Sequence, residues 1–195
     1  MDKHALLFNN ISWAFQLFYN YQRKGYRKNL MRVLPKLNLS ENSKVLDLGC
    51  GAGALGSVFI DLGFDVTGVD IAPKMVERCK KNHLKCILGN IIEGLPFVNK
   101  SFDLVVSAYV LHGLNSIQRN LAYKEISRLS KKYILFYDYK SPGVPTNLGV
   151  RFIEMLEGGD YFGFIMSGFS EMQAIFPKIQ YFSVNSQSGF YLIVL

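Results

Sequence analysis

The segment Val45-Leu46-Asp47-Leu48-Gly49-Cys50-Gly51-Ala52-Gly53 constrains this chain more than any other. A short apolar run carrying one acid meets a glycine-dense turn, and Ala54 to Ile60 then reads as a helix. Strand, tight turn and helix in that order open a doubly wound α/β sheet. Glycines let such a turn take positive φ and bring backbone close to a ligand. Nucleotide-like cofactors bind at turns of this kind, beyond the carboxyl ends of the strands.

Read from Gly49, the turn also satisfies G-x-G-x-x-A, so its spacing alone admits a dinucleotide. Asp47 separates the options. A dinucleotide brings a doubly negative pyrophosphate, which a carboxylate just before the glycines repels. S-adenosylmethionine brings a sulfonium and an ammonium, which the same carboxylate attracts. Val45 to Gly53 resembles motif I of the class I S-adenosylmethionine-dependent methyltransferases. The competing reading is an ordinary strand and turn, with Asp47 capping nearby backbone N–H groups.

At 195 residues the chain is long enough for one domain with a real core. Charged residues make up 19% and hydrophobic ones 49%, a globular balance. No apolar stretch is long enough to span a bilayer, and the N-terminus lacks a signal-peptide pattern. The three cysteines, Cys50, Cys79 and Cys86, lack C-x-x-C spacing. That odd count favours free thiols in a reducing cytoplasm over disulfides, and no metal site is expected. Much of the net charge of +7 lies near the start, in Arg23, Lys24, Arg27, Lys28, Arg32 and Lys36. Such a patch can meet nucleic acid, an acidic substrate or an anionic membrane surface, or simply be a solvated helix face. No RNA-binding signature accompanies it, so nucleic acid is the minority reading.

Residues 1–38 read as an aromatic and then basic helical cap, and residues 39–195 as the cofactor domain. Phe64 to Val69 is the second strand and ends on Asp70, about 20 residues beyond the glycine turn. An acid there reaches both ribose hydroxyls, although a helix N-cap is the alternative. Ile71 and Met75 would pack on the adenine. After the third strand, Lys85 to Gly89, come Asn90 and Ile91 at the adenine edge. Relatives often have an acid where this chain has Asn90; its oxygen still accepts a hydrogen bond but carries no charge. Ser101 to Ala108 is a central strand, with Ala108 under the cofactor. Leu95-Pro96-Phe97 and Phe102-Asp103-Leu104-Val105-Val106 resemble the fourth-strand region of small-molecule methyltransferases.

His112 follows at the carboxyl edge. It reads either as a base or substrate orienter, or as a loop histidine bonded to backbone. Lys132 to Tyr137 is the fifth strand. Ser141 to Phe169, rich in glycine and aromatics, is the natural lid, with a helix at Arg151 to Glu157. Ser170-Glu171-Met172-Gln173 has a capping-box pattern and predicts a short helix start. Ile179 to Val184 and Phe190 to Leu195 read as an antiparallel hairpin. The whole is thus a Rossmann-like, doubly wound, seven-stranded, mostly parallel sheet with an antiparallel C-terminal hairpin and an N-terminal helical cap. The resemblance covers about residues 40–195; the opening helices look like those of the ubiquinone/menaquinone-biosynthesis (UbiE-like) methyltransferases.

The resemblance implies S-adenosyl-L-methionine as cofactor and a small-molecule methyl acceptor, aromatic or quinone-like. It places Asp47, Gly49, Cys50, Gly51 and Gly53 at the methionine end, and carries Arg27 over as a contact to the cofactor carboxylate. Two rivals stay open. An NAD(P)-dependent oxidoreductase fits the first turn, but Asp47 opposes it and no Tyr-x-x-x-Lys pair follows the fourth strand. A nucleic-acid methyltransferase would use the basic cap, but no Asn/Asp-Pro-Pro-Tyr/Phe motif is present.

Overall fold

Continuous apolar runs dictate where the middle of the sheet lies. Val45, Leu46 and Leu48 are all buried, as are Leu104, Val105 and Val106, so both strands are covered on both faces. The computed structural model describes residues 3–144 and 158–195. The helix expected at Arg151 to Glu157 lies outside the described residues.

In chain order the elements are α1 (Lys3–Leu17), α2 (Tyr19–Leu30), β1 (Lys44–Leu48), α3 (Ala54–Asp61), β2 (Asp65–Asp70), α4 (Pro73–Lys81), β3 (Lys85–Leu88), β4 (Phe102–Ala108), α5 (Ser116–Leu129), β5 (Ser130–Tyr139), α6 (Tyr161–Ile175), β6 (Gln180–Ser183) and β7 (Ser188–Val194). One seven-stranded sheet has the order β3-β2-β1-β4-β5-β7-β6. The first five strands in chain order pair in parallel, and β7 pairs antiparallel with both β5 and β6. This is the Rossmann-like sheet with a closing hairpin that the hydropathy pattern predicts.

The strand order reverses between β1 and β4, and the crevice at that switch point is where a doubly wound sheet takes its ligand. Each face of the sheet has its own core. Leu55, Val58, Phe59 and Val76 from α3 and α4 cover one face. Tyr123, Ile126, Phe164 and Met172 from α5 and α6 cover the other. Helices α1 and α2 lie outside α4 and α3. Asn9 Oδ1 accepts from Lys74 N at 3.0 Å, Gln16 bonds Asn82, and Arg23 pairs with Asp61.

One helix boundary departs from the sequence reading. The capping-box pattern at Ser170 to Gln173 lies inside α6, which already starts at Tyr161. Ser170 Oγ donates instead to Ser167 O, one turn back. Burial of Tyr161, Phe164, Ile165 and Gly168 outweighs the low helix propensity of Gly163 and Gly168. The actual capping box is at α5. There Asn115 Oδ1 accepts from Gln118 N and Gln118 Oε1 accepts from Asn115 N, each at 3.0 Å. Among the described residues no helix is long and apolar enough to cross a membrane.

Candidate functional site

The glycine turn is shaped from both sides. Gly49 has φ +67°, and its N–H donates to Val69 O at 2.8 Å. A side chain there would be strained, and its Cβ would strike the side chain of Val110 from the turn after β4. Gly51 N donates to Asp70 Oδ2 at 2.8 Å, while Ala72 N donates to Asp70 Oδ1 at 2.9 Å. Asp70 therefore holds the backbone just ahead of α4 and also pins the turn. Each of its oxygens keeps a further lone pair.

Asp47 sits beneath the turn, 1% exposed, with Oδ2 accepting from Gly56 N at 2.9 Å. Burial pushes its carboxyl up to about 7, and the charge of Asp70 adds to that, against the Gly56 N–H. Burial also raises Asp70, against the backbone donors Ala72 and Gly51. Among the described residues no cationic side chain pairs with either acid. The cavity is thus built around two buried carboxylates that lack a counter-charge, an arrangement that suits a cationic ligand and disfavours a phosphate.

One cavity of about 330 Å³ joins these groups, within the size range of small-ligand sites. Asp47, Gly49, Cys50, Gly51 and Asp70 line one end. Ile71, Met75, Asn90 and Ile91 line the next stretch, and Ala108 and His112 line the far side. Asn90 is engaged within its own turn: Oδ1 accepts from Ile92 N at 3.2 Å, and Nδ2 donates to Glu93 at 2.8 Å.

Two predicted residues are not brought there. Gly53 does not line the cavity. At φ +85° it starts α3, and an added Cβ would lie 3.1 Å from Cys79 Sγ. Arg27 reaches Asp61 at 3.4 Å on the exposed side of α2. Helical phase explains this correction. Gln22 and Tyr26, four apart, face the cavity from α2, and Arg27 lies about 100° further round.

At the far end the sequence alone does not reveal the partnership that matters. His112 Nδ1 lies 2.7 Å from Asp138 Oδ1, and both side chains are buried. Asp138 also accepts from Leu111 N at 3.0 Å and Tyr139 N at 2.8 Å. The bond fixes the orientation of the imidazole through Nδ1. Tyr109 adopts φ +55°, an uncommon conformation for a bulky residue, in the turn that carries His112. Rings of Tyr109 and His112 pack edge-on against Tyr139, with centroids 5.4 and 4.8 Å away. Phe8 and Phe15 close the cavity from α1. Behind it Arg119, buried in α5, binds Glu171 at 2.7 and 2.9 Å, Asp160 at 3.1 Å and Leu114 O. An arginine on the buried side of an amphipathic helix was the available signal for that network.

The cysteine reading needs correction. Cys79 and Cys86 are joined by a disulfide, because the turn from α4 into β3 brings their Cα atoms within 6.3 Å. Cys50 Sγ lies 3.6 Å from Cys79 Sγ and 3.8 Å from Cys86 Sγ. Burial, and then the charges of Asp47 and Asp70, push the Cys50 thiol well up. The three sulfur atoms lie within 4.8 Å of one another.

Similarity to known proteins agrees with this geometry. A family model described as a methyltransferase domain matches residues 45–133. The demethylmenaquinone methyltransferase of Staphylococcus aureus is 30% identical over 184 residues, spanning 86% of this chain and 70% of that protein. The chain belongs to the class I S-adenosylmethionine-dependent methyltransferases. The demethylmenaquinone methyltransferase of Tropheryma whipplei is 36% identical over 87 residues, which is 42% of this chain and 36% of that protein. The chain thus spans little more than a third of that relative's length. In fold, the chain is similar to magnesium protoporphyrin IX methyltransferase from Synechocystis, solved with bound SAH. The TM-score is 0.61 at 16% identity, covering 88% of this chain and 82% of that one. The cofactor of the family is S-adenosylmethionine.

Proposed function

We propose that this chain moves a methyl group from S-adenosylmethionine to a small, planar, apolar acceptor of quinone or phenol type. One observation carries the reading. A single cavity runs from Asp47 and Asp70 to an aromatic end that holds His112. The cofactor would supply an electrophilic methyl on a sulfonium, ready for in-line displacement. The chain's own task is then alignment and electrostatics.

In this reading Asp47 faces the positive methionine end, and the Gly49 and Gly51 backbone leaves room for it. Cys50 packs beneath that end. Asp70 accepts from the ribose hydroxyls with its remaining lone pairs. Ile71 and Met75 flank the adenine, with Asn90 and Ile91 at its edge. Ala108 leaves space under the reacting centre, and His112, held by Asp138, orients the acceptor. Residues 1–38 act as a cap, for which Phe8, Phe15 and Tyr26 at the cavity wall give support, and residues 39–195 supply the cofactor domain. The aromatic wall and the relatives named demethylmenaquinone methyltransferase both support a quinone-like acceptor.

Calorimetry with S-adenosylmethionine, its demethylated product and NAD is the first test. The expected result is binding of the first two and none of NAD. Binding of NAD alone would overturn the reading. Transfer of labelled methyl to hydroxylated naphthoquinones and simple phenols then tests the acceptor class.

A further inference from the structure

Helix α1 has two unlike faces. Asn9 and Gln16 bond to α4, and Phe8 and Phe15 reach the cavity. Leu6, Trp13 and Leu17, spaced seven and four apart, share the opposite face and are 44%, 62% and 71% exposed. At the joint to α2 Phe18 and Tyr21 continue this patch, Tyr21 at 80% exposure. An apolar patch of this kind on a monomer's outside marks a contact surface.

Charge indicates what meets it. Between residues 3 and 40 there is no acidic residue. Lys24 and Lys28, four apart on α2, are exposed, as is Arg32 just beyond its end. Because α1 rests on α4 and α2 on α3, and both inner helices cover the same sheet face, the outer faces of α1 and α2 look away from the sheet together. The combined surface is an apolar and aromatic stripe beside a cationic one. That composition suits helices lying in the plane of a membrane interface, with Trp and Tyr at headgroup depth and Lys and Arg on anionic lipid.

We infer that α1 and α2 dock this protein on an anionic bilayer surface, with the Leu6–Trp13–Leu17 stripe entering the interface and Lys24 and Lys28 on the headgroups. Two other occupants fit less well. RNA stacks on aromatics, but Leu6, Leu17 and Met31 offer no ring to a base. A second copy across a two-fold axis would bring one cationic α2 face toward its equal. The same α1 walls the cavity with Phe8 and Phe15 on its other face, so docking would leave one helix between the site and the lipid. The inference stands apart from the methyl-transfer reading, since vesicle binding needs neither cofactor nor turnover.

Trp13 is the single tryptophan, so its emission reports on this surface directly. The full chain is mixed with vesicles of phosphatidylcholine alone, or with added phosphatidylglycerol. The expected result is a blue shift, quenching by brominated lipid, and partitioning at least about tenfold stronger onto the anionic vesicles. Leu17→Glu and the pair Lys24→Glu with Lys28→Glu should each weaken partitioning about tenfold, with circular dichroism unchanged. Three results would overturn the proposal. They are no partitioning of the parent chain, partitioning indifferent to both variants, and salt-sensitive RNA binding without vesicle binding. A dimer dispersed by Leu17→Glu, again without vesicle binding, would assign the surface to a second copy instead.

Discussion

His112 Nδ1 and Asp138 Oδ1 lie 2.7 Å apart, and that bond ties the turn after β4 to the end of β5. The neighbouring strands set the spacing, since Ala108 pairs with Tyr137 in register. The orienting role proposed for His112 makes a definite prediction. His112→Ala should lower kcat by about a hundredfold, in the range of a positioned imidazole, and leave S-adenosylmethionine affinity unchanged. Binding calorimetry beside turnover separates the two. A pH–rate profile then tells orientation from proton removal: only a base loses an acidic limb when replaced.

Asp47 predicts a proton-linked cofactor. Its carboxyl is pushed up to about 7 by burial, so it is part-protonated at neutral pH. A cationic ligand favours the ionised form. Affinity should therefore climb as pH rises toward 7 and level off above, and binding below 7 should release a proton. Calorimetry in buffers of different ionisation enthalpy measures that release directly.

The same residue limits the unliganded chain. Its folded value lies above the ordinary 3.8, so the folded state holds the proton more tightly than the unfolded one. Stability should fall as pH rises from about 4 to about 7, by roughly 2–4 kcal/mol at most, and stay level beyond. Asp47→Asn should raise the neutral-pH melting temperature by about 4–16 °C at most while weakening the cofactor. Thermal scans at pH 4 and pH 8 check the sign, for most of the gain should be gone at pH 4.

Gly49→Ala should damage both halves of the cavity. Positive φ costs an L-residue about 1–2 kcal/mol, and the new methyl has to displace Val110. Cofactor affinity and acceptor turnover should fall together. Gly63→Ala is the control, since it also has positive φ but meets nothing within 4 Å. It should lose stability with cofactor affinity intact.

Arg119 predicts a stability effect away from the chemistry. Arg119→Met strips the partner from Glu171 and Asp160 and should cost about 2–4 kcal/mol in denaturant titration. Arg119 also holds Glu171 below the usual carboxylate range, against its burial. Stability from that pair is present above the ordinary glutamate value and lost as pH falls through the lowered one. Glu171→Gln should therefore blunt the acid limb of the stability curve.

The sheet and the glycine turn were legible because each rests on local signals. Val45 to Gly53 carries its own strand, turn and helix start, and Asp70 sits one strand further in the same unit. What stayed hidden depends on distant pairing. Nothing near His112 in sequence announces Asp138, which arrives on the next strand. Arg27 or Gln22 was a question of helical phase on α2, decided by which side meets α3. Cys50, Cys79 and Cys86 converge only once α4 folds back on the sheet. The start of α6 was missed because glycines at Gly163 and Gly168 mask a helix that burial sustains.

The position of β7 has a consequence for how such a chain comes into being. Among the described strands it follows all others in sequence, yet it lies inside the sheet, between β5 and β6. Until it inserts, β5 presents a bare hydrogen-bonding edge from Tyr133 to Tyr139. Asp138 is on that edge, held opposite Gly189. A ribosome-bound chain can therefore shape its glycine turn early. Asp138, the partner of His112, stands on the edge that β7 covers, so the anchor of that histidine adjoins a strand that is late among the described ones.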